Sequence, residues 1–179
     1  MFLHPEQNWQ KVVEFHGHAC PGLAIGVTVT ALAAEYLEIS QSSKDEEILC
    51  IAETDACSVD AVQSLLGCTL GKGNLLLKPR GKHAFTFYSR ARKKGCRIIW
   101  SGPSSPGQDK TQLINEILSA GRQYCKLTPA GNPGIPEAFI SKSVPCSQCG
   151  ELTAEDMSRF LDGKAHCLDC LPKFSRLLD

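Results

Sequence analysis

Four cysteines near the C-terminus restrict the fold of this chain more than any other feature. The spacing C-x2-C-x17-C-x2-C is formed by Cys146, Cys149, Cys167 and Cys170. Two such pairs can wrap one ion and complete the tetrahedral sulfur coordination that zinc accepts. Because the surrounding segment has few apolar side chains, its folding would depend on the ion. The pattern predicts a zinc-finger-like, treble-clef-type domain over 145–179, with a helix over Leu168–Leu178.

Two local disulfides or a redox-active C-x-x-C pair are the alternatives for these cysteines. The N-terminus shows no basic segment followed by an apolar stretch and a cleavage site, which predicts a cytoplasmic protein. Disulfides are rare in that compartment, so a closed structural zinc site is favoured. His166 adjoins Cys167 and is an alternative ligand.

A second concentration of metal-ligating side chains lies in the segment EFHGHACPGLAIGVTVTAL, residues 14–32. His16, His18 and Cys20 occupy alternate positions there. Pro21 is well placed as the first residue of a helix that runs to about Leu37, because proline lacks the amide hydrogen that is unpaired at that position. The uncharged run that follows is too short and too rich in threonine to span a membrane, so it predicts a buried helix.

Cys57 precedes a second predicted helix, Ser58–Leu66, which ends at Gly67. A helix dipole favours an anion at its N-terminus, so we expect the thiols of Cys20 and Cys57 to ionise more readily than a free thiol. If the two helices pack side by side, His16, His18, Cys20 and Cys57 form a core site, either for a metal ion or for an activated nucleophile.

Two aspartates accompany the Cys57 segment. Asp55 and Asp60 are candidates for orienting a ligand or transferring a proton, and the alternative is an ordinary role at an exposed turn and a helix start.

Helices and strands alternate only in part, which predicts an α+β fold with helices packed on a mixed or antiparallel sheet. The strands are predicted at Glu47–Glu53, Asn74–Lys78, Lys82–Ser89 and Arg97–Trp100, and a further helix at Gln108–Tyr124. A turn at 79–81 would join the second and third strands as a hairpin. A loop-like stretch, 127–144, follows the last helix. We therefore expect a core domain over 1–128, a linker over 129–144 and the terminal domain over 145–179.

Charge is balanced, with 19 basic and 19 acidic residues, so no global field attracts nucleic acid or a membrane surface. Nucleic acid is further disfavoured at the four-cysteine segment by its acidic residues, Glu151, Glu155, Asp156, Asp162 and Asp169. The stretch between Asp60 and Asp109 contains no acidic residue but many basic ones. A solvated hairpin or a dimer rim explains this stretch, and a small anionic ligand or partner is the alternative.

The other cysteines have simpler interpretations. Cys50 and Cys96 inside predicted strands, and Cys125 late in a predicted helix, are expected to be small buried apolar residues. Cys68 stays ambiguous. The segment GCTLGKGN at 67–74 lacks the spacing and the hydroxyl residue of a phosphate-binding P-loop, so it predicts a glycine-rich turn.

Four segments carry a resemblance to a known family: FHGHACPGLAIG, DACSVDAVQSLLGCTLGKGNL, KHAFTFYSR and CSQCGE. They resemble the FmdE family, which is named after a component of formylmethanofuran dehydrogenase. The resemblance implies an α+β core that is often dimeric, a zinc-finger-like C-terminal module, and His16, His18, Cys20 and Cys57 lining a metal-binding cavity. It also implies an association with a molybdenum or tungsten enzyme that handles formyl groups.

Nothing in the chain resembles a pterin-binding or iron–sulfur protein, so the resemblance does not imply dehydrogenase activity. Two functions remain. The chain is a metal-binding accessory protein with zinc or a similar transition metal in the core site, or it is an enzyme. The enzyme would act on a formyl- or carbonyl-type substrate through an open metal position or through Cys20 or Cys57 as the nucleophile.

Overall fold

The computed structural model describes residues 5–103 and 109–171, and it divides the chain into two compact units at Ala138–Phe139. The described part of the first unit contains four α-helices and five strands. The helices are α1 (Pro5–His16), α2 (Pro21–Tyr36), α3 (Ser58–Leu66) and α4 (Lys110–Ala120). The strands are β1 (Ile48–Ala52), β2 (Leu75–Leu77), β3 (Ala84–Ser89), β4 (Lys94–Trp100) and β5 (Cys125–Ala130).

One mixed sheet organises the first unit, with strand order β2-β1-β3-β4-β5. β2 runs parallel to β1, and every other neighbouring pair is antiparallel. Helices pack against this sheet, with Phe85 and Phe87 of β3 fully buried in the core. The α+β prediction is confirmed.

The predicted hairpin between the second and third strands is wrong, because β1 lies between β2 and β3. The reason is a set of backbone hydrogen bonds across the carboxyl end of β1. The Lys78 N–H donates to the Ala52 carbonyl, and the N–H groups of Arg80 and Lys82 both donate to the Glu53 carbonyl. The chain therefore crosses the end of β1 instead of folding back on β2.

The loop predicted from Leu127 is wrong over its first four residues, which form the greater part of β5. Proline is tolerated at position 129 because β5 is an edge strand with one partner, β4. The preceding helix is also shorter than predicted. Asp109 caps α4, a 3-10 turn covers Gly121–Tyr124, and Cys125 begins β5 rather than lying in a helix. The predicted helix start at 108 falls outside the described residues.

Helix α2 lies at the centre of the unit, and nearly all its residues from Leu23 to Ala34 are buried. Its closest neighbour is α3, and Gly26 explains how close the two helices come. A Cβ at Gly26 would lie 2.3 Å from the Ser58 carbonyl oxygen and 2.8 Å from the Ala61 Cβ. Only glycine permits this approach, so the N-terminal ends of α2 and α3 are held side by side.

The described part of the second unit contains two short hairpins: β6 (Ser143–Pro145) with β7 (Leu152–Ala154), and β8 (Arg159–Leu161) with β9 (Lys164–His166). Leu168–Cys170 forms a 3-10 turn where the sequence predicted a longer helix, and the rest of that helix, from 172 on, lies outside the described residues. In the described ranges, no helix has the length and apolar character needed to cross a membrane.

Candidate metal centres

The four C-terminal cysteines form one compact group. Their sulfur atoms all lie within 4.8 Å of one another. The Sγ atoms of Cys149 and Cys167 are 3.9 Å apart. Two sulfurs bound to one tetrahedral zinc at about 2.3 Å would be roughly 3.8 Å apart, so this donor set fits a zinc-sized ion.

Each pair of these cysteines follows a short strand, and a tight turn shapes the first pair. Cys146 comes directly after β6 and Cys167 directly after β9. The Gly150 N–H donates to the Cys146 carbonyl at 2.9 Å, and Gly150 has a φ of +77°, which glycine adopts without strain. His166, the alternative ligand, lies 3.0 Å through Nε2 from the Ser147 hydroxyl and is not part of the group.

Backbone amides prepare one of these thiols for metal binding. Hydrogen bonds from the N–H groups of Cys149, Cys167 and Gln148 lower the pKa of Cys146 to about 6. A thiol with that pKa is mostly ionised at neutral pH, and the thiolate is the form that binds metal. The four-cysteine group can therefore hold a metal such as zinc.

A second group of donors lies in the first unit, where His16, Cys20 and Cys57 have ligand atoms within 4.8 Å of one another. The His16 Nε2 is 3.9 Å from the Cys20 Sγ. Nitrogen and sulfur donors on one tetrahedral zinc would be roughly 3.6 Å apart, so the spacing again fits an ion. All three side chains are half-buried.

Three helix ends supply these donors. His16 is the last residue of α1, Cys20 caps the N-terminus of α2, and Cys57 precedes the first residue of α3. The sequence predicted that the two helix N-termini would bring the cysteines together, and the close α2–α3 packing at Gly26 does so.

Gly22 leaves room beside the two sulfur atoms. A Cβ at this position would lie 3.9 Å from the Cys57 Sγ and 4.0 Å from the Cys20 Sγ. Glycine at this position therefore places no side chain beside the two sulfur donors.

Asp60 holds the imidazole of His16. Its Oδ2 is 2.7 Å from the His16 Nδ1, and its other oxygen accepts a hydrogen bond from the Gln63 Nε2 at 3.0 Å. A carboxylate on one ring nitrogen fixes the tautomer and leaves the other nitrogen free to bind metal. Of the two roles considered for Asp60 from sequence, the orienting one matches this contact, whereas Asp55 is exposed.

His18 is placed differently from the other predicted ligands. It is exposed, and it lies outside the group of three donors found among the described residues. Its ring is tilted against the His16 ring, with centroids 4.5 Å apart. The structure thus brings three of the four predicted core residues together and leaves His18 beside them.

The expectation that Cys20 ionises readily is wrong for the metal-free site. Burial raises the pKa of its thiol above the usual range, and the hydrogen bond from the Leu23 N–H at 3.4 Å only partly opposes this effect. Desolvation of the half-buried thiol outweighs the backbone hydrogen bonds at the helix N-terminus. Cys20 is therefore a poor free nucleophile, and a cation would have to displace its proton.

Sequence reasoning missed His83, which lies next to the core group. Its Nδ1 is 3.1 Å from the hydroxyl of Ser58, the fully buried residue that follows Cys57. Burial lowers the pKa of His83, which favours the neutral imidazole. The two residues are 25 positions apart, so only the crossing of the chain over β1 could reveal the contact.

Of the remaining core cysteines, three are ordinary buried residues, whereas Cys125, which was also predicted to be buried, is only half-buried. Cys50 and Cys96 are fully buried in strands, as predicted. Cys68, ambiguous from sequence, is also fully buried and its thiol donates to the Ile48 carbonyl at 3.4 Å. Burial raises the pKa of Cys68 to about 12, which excludes a thiolate at neutral pH.

An α+β core followed by a four-cysteine group defines a metal-binding protein. The family model described as FmdE, Molybdenum formylmethanofuran dehydrogenase operon, matches residues 15–130. The chain belongs to this family, which confirms the resemblance seen in the sequence motifs.

Known proteins that are similar to this chain include one with a crystal structure and one curated relative. A tungsten formylmethanofuran dehydrogenase FmdE-like protein from Syntrophus aciditrophicus has a crystal structure with a TM-score of 0.70 and 30% identity, covering 93% of this chain and 91% of that one. A probable S-adenosyl-L-methionine-binding protein from Archaeoglobus fulgidus is 42% identical over 114 residues, or 60% of this chain. The match covers only 31% of the Archaeoglobus protein.

Proposed function

We propose that this chain binds two transition-metal ions in two different kinds of centre. Zinc in the four-cysteine group is structural and organises a treble-clef-type domain over 145–179. Zinc or another transition metal in the core group is held by His16, Cys20 and Cys57. The convergence of these three donors, with Asp60 behind His16, is the observation that supports the core centre.

The donor chemistry fits a transition metal better than magnesium or calcium. Imidazole and thiolate are soft or intermediate ligands, whereas magnesium and calcium require oxygen. Such an ion, when bound, supplies a positive centre that polarises or binds a ligand. Asp60 orients the imidazole of His16, and Gly22 places no side chain beside the sulfur atoms of Cys20 and Cys57.

We further propose that the protein works as a cytoplasmic accessory protein, as a homodimer, in a molybdenum or tungsten enzyme system. The family description, which refers to a molybdenum formylmethanofuran dehydrogenase operon, supports this role. The similarity to the tungsten FmdE-like protein over most of both chains supports it as well.

One feature favours enzymatic activity at the same centre as a second candidate function. Structural zinc sites have four protein ligands, whereas catalytic sites have three and keep one position open. The core group contains three donors, and His18 is exposed outside it. The activity would be directed at a small formyl- or carbonyl-type substrate. Because burial raises the pKa of the Cys20 thiol in the metal-free site, the bound ion rather than Cys20 as a free nucleophile would act on that substrate.

Metal content tests the proposal directly. The purified protein is analysed by inductively coupled plasma mass spectrometry, as the native chain and as the variants Cys57→Ala and Cys149→Ala. We expect two ions per chain in the native protein and one in each variant. A ratio of one that Cys57→Ala leaves unchanged would eliminate the core centre.

A matched control separates ligand loss from general damage. Cys96→Ala removes an equally small thiol from the same unit, at a buried strand position outside both groups. We expect it to retain both ions. Loss of metal in this control would show that any disturbance of the core, rather than removal of a ligand, causes the change.

A further inference from the structure

We propose that the exposed turn over residues 78–82, here called the basic turn, recruits an anionic ligand to the core metal centre. The ligand class is a small molecule that carries a phosphate group. This inference rests on the proposed core centre and adds the charge of its ligand.

The basic turn differs from most of the basic stretch, because every other basic side chain of the stretch that the structure describes, except that of the exposed Lys93, contacts a protein acceptor. Arg90, Arg92 and Arg97 pair with glutamates, at 3.6 Å, 2.9 Å and 2.7 Å. Lys72 and Lys94 also reach protein acceptors, the carbonyl oxygens of residues 43 and 36. The charges of these side chains are therefore already engaged by acceptors within the protein.

The side chains of Lys78, Arg80 and Lys82 are exposed, and none forms an ion pair with any residue that the structure describes. Arg80 makes a hydrogen bond to the carbonyl of the adjacent Pro79. Three cations within five residues therefore face solvent without a compensating acid. Such a cluster attracts anions, and an arginine fork with two lysines suits a phosphate.

The backbone places the basic turn beside the core group. The N–H groups of Arg80 and Lys82 bond to the Glu53 carbonyl, at 2.8 Å and 3.3 Å, at the end of the strand that leads to Cys57. The residue after Lys82 is His83, whose imidazole contacts Ser58 at 3.1 Å. Ser58 in turn follows Cys57, so one side-chain hydrogen bond connects the turn to the segment that carries a core ligand.

The basic turn lies within electrostatic reach of the core centre, because Glu53, whose carbonyl holds the turn, is four residues before Cys57 and four residues span at most about 14 Å. With two thiolates and a divalent ion the core centre would be neutral, and the Asp60 carboxylate on His16 adds a negative charge, so an anionic ligand needs nearby cations to approach. A unit charge interacts with a dianion at roughly 10 Å by about 0.8 kcal/mol in water, and salt reduces this value. Removing two lysines should therefore weaken binding of a phosphate dianion about five- to tenfold.

Cobalt(II) provides a spectroscopic test without any assumed activity. The full-length protein is loaded with cobalt and titrated with inorganic phosphate, and the anion-induced change in the visible spectrum is followed. We expect a saturable change in the native protein, no change in His16→Ala, and an apparent affinity about five- to tenfold weaker in Lys78→Gln/Lys82→Gln. The four-cysteine centre has no open position and should not respond.

The matched control is Lys44→Gln/Lys93→Gln. It removes two equally exposed lysines at the opposite end of the sheet, where Ile48 pairs with Ser89. We expect its affinity to stay within twofold of the native value. Equal weakening in both double variants would show a general charge effect and overturn the inference, as would native affinity in Lys78→Gln/Lys82→Gln.

The two proposals fail in different ways. If cobalt binds only once per chain and His16→Ala has the native cobalt spectrum, the core centre itself is absent. The proposed phosphate ligand of that centre is then refuted as well. If the core centre binds cobalt but phosphate leaves its spectrum unchanged, the core centre stands and only the anionic ligand is refuted.

Discussion

The contact between α2 and α3 at Gly26 allows a quantitative prediction for Gly26→Ala. The added methyl carbon would lie 2.3 Å from the Ser58 carbonyl oxygen and 2.7 Å from the Ser58 Cα, and backbone atoms cannot rotate away. Overpacking of this kind lowers the free energy of unfolding by about 3 kcal/mol at the upper end of its range. The higher helix propensity of alanine raises it by about 1 kcal/mol. We therefore expect the free energy of unfolding to fall by about 2 kcal/mol.

Tryptophan fluorescence reports this change selectively. Trp9 and Trp100 are the two tryptophans of the chain, and both lie in the first unit. Unfolding is followed in urea with chelator and reductant present, so that bound metal does not contribute. With a slope of about 2 kcal/mol per molar urea, the midpoint should fall by about 1 M.

Gly22→Ala is the matched control on the same helix. Its added methyl carbon would have its nearest neighbour at 3.4 Å, which is ordinary contact. We expect its urea midpoint to equal or exceed the native value. If Gly26→Ala were as stable as Gly22→Ala, the helices would not approach as described, and the explanation for the convergence of Cys20 and Cys57 would be refuted.

Three further predictions follow from side-chain contacts. Asp60→Asn should weaken metal binding at the core centre about 10- to 100-fold in a chelator competition and leave the four-cysteine centre unaffected, because it removes the carboxylate that orients the ligand histidine. The hydrogen bonds from the Ser43 hydroxyl and the Asp45 amide lower the pKa of Glu47 to about 2, so its carboxylate stabilises the fold above pH 4.5 and this contribution is lost as the pH falls toward 2. Glu47→Gln should accordingly be less stable than the native protein at pH 7, and the two urea midpoints should converge near pH 2; a constant difference would contradict the assignment. Cys146→Ser should abolish the dispersed amide NMR signals of the second unit. The urea unfolding transition of the first unit, followed by tryptophan fluorescence, should stay unchanged. A shifted transition would show that the two units do not unfold independently.

Local signals explain which elements could be predicted from sequence. Helix α2 begins at Pro21 as predicted, and α3 ends before Gly67, whose φ of +68° is the left-handed conformation expected of a terminating glycine. The four-cysteine group was equally predictable, because its ligand spacing is a local property. These features depend on residues close together in the chain.

Features that depend on distant contacts could not be predicted. The position of β2 beyond β1 is set by hydrogen bonds to the carbonyl of Glu53. No turn residue in the sequence indicates these hydrogen bonds. The raised pKa of Cys20 follows from burial that the helix-dipole argument ignores. The contact of Asp60 with His16 spans 44 positions. The sequence could therefore indicate Asp60 as a candidate residue, but it could not decide whether Asp60 orients a ligand or only starts a helix.

Anomalous X-ray scattering from crystals of the metal-loaded protein tests the central claim most directly. Data collected on both sides of the zinc absorption edge locate each ion independently of the protein density. We expect one peak among the four C-terminal sulfurs and a second at about 2.3 Å from the Sγ atoms of Cys20 and Cys57 and about 2.0 Å from the His16 Nε2. A single peak at the four-cysteine group, with no anomalous signal between α2 and α3 at the edge of any bound transition metal, would contradict the account.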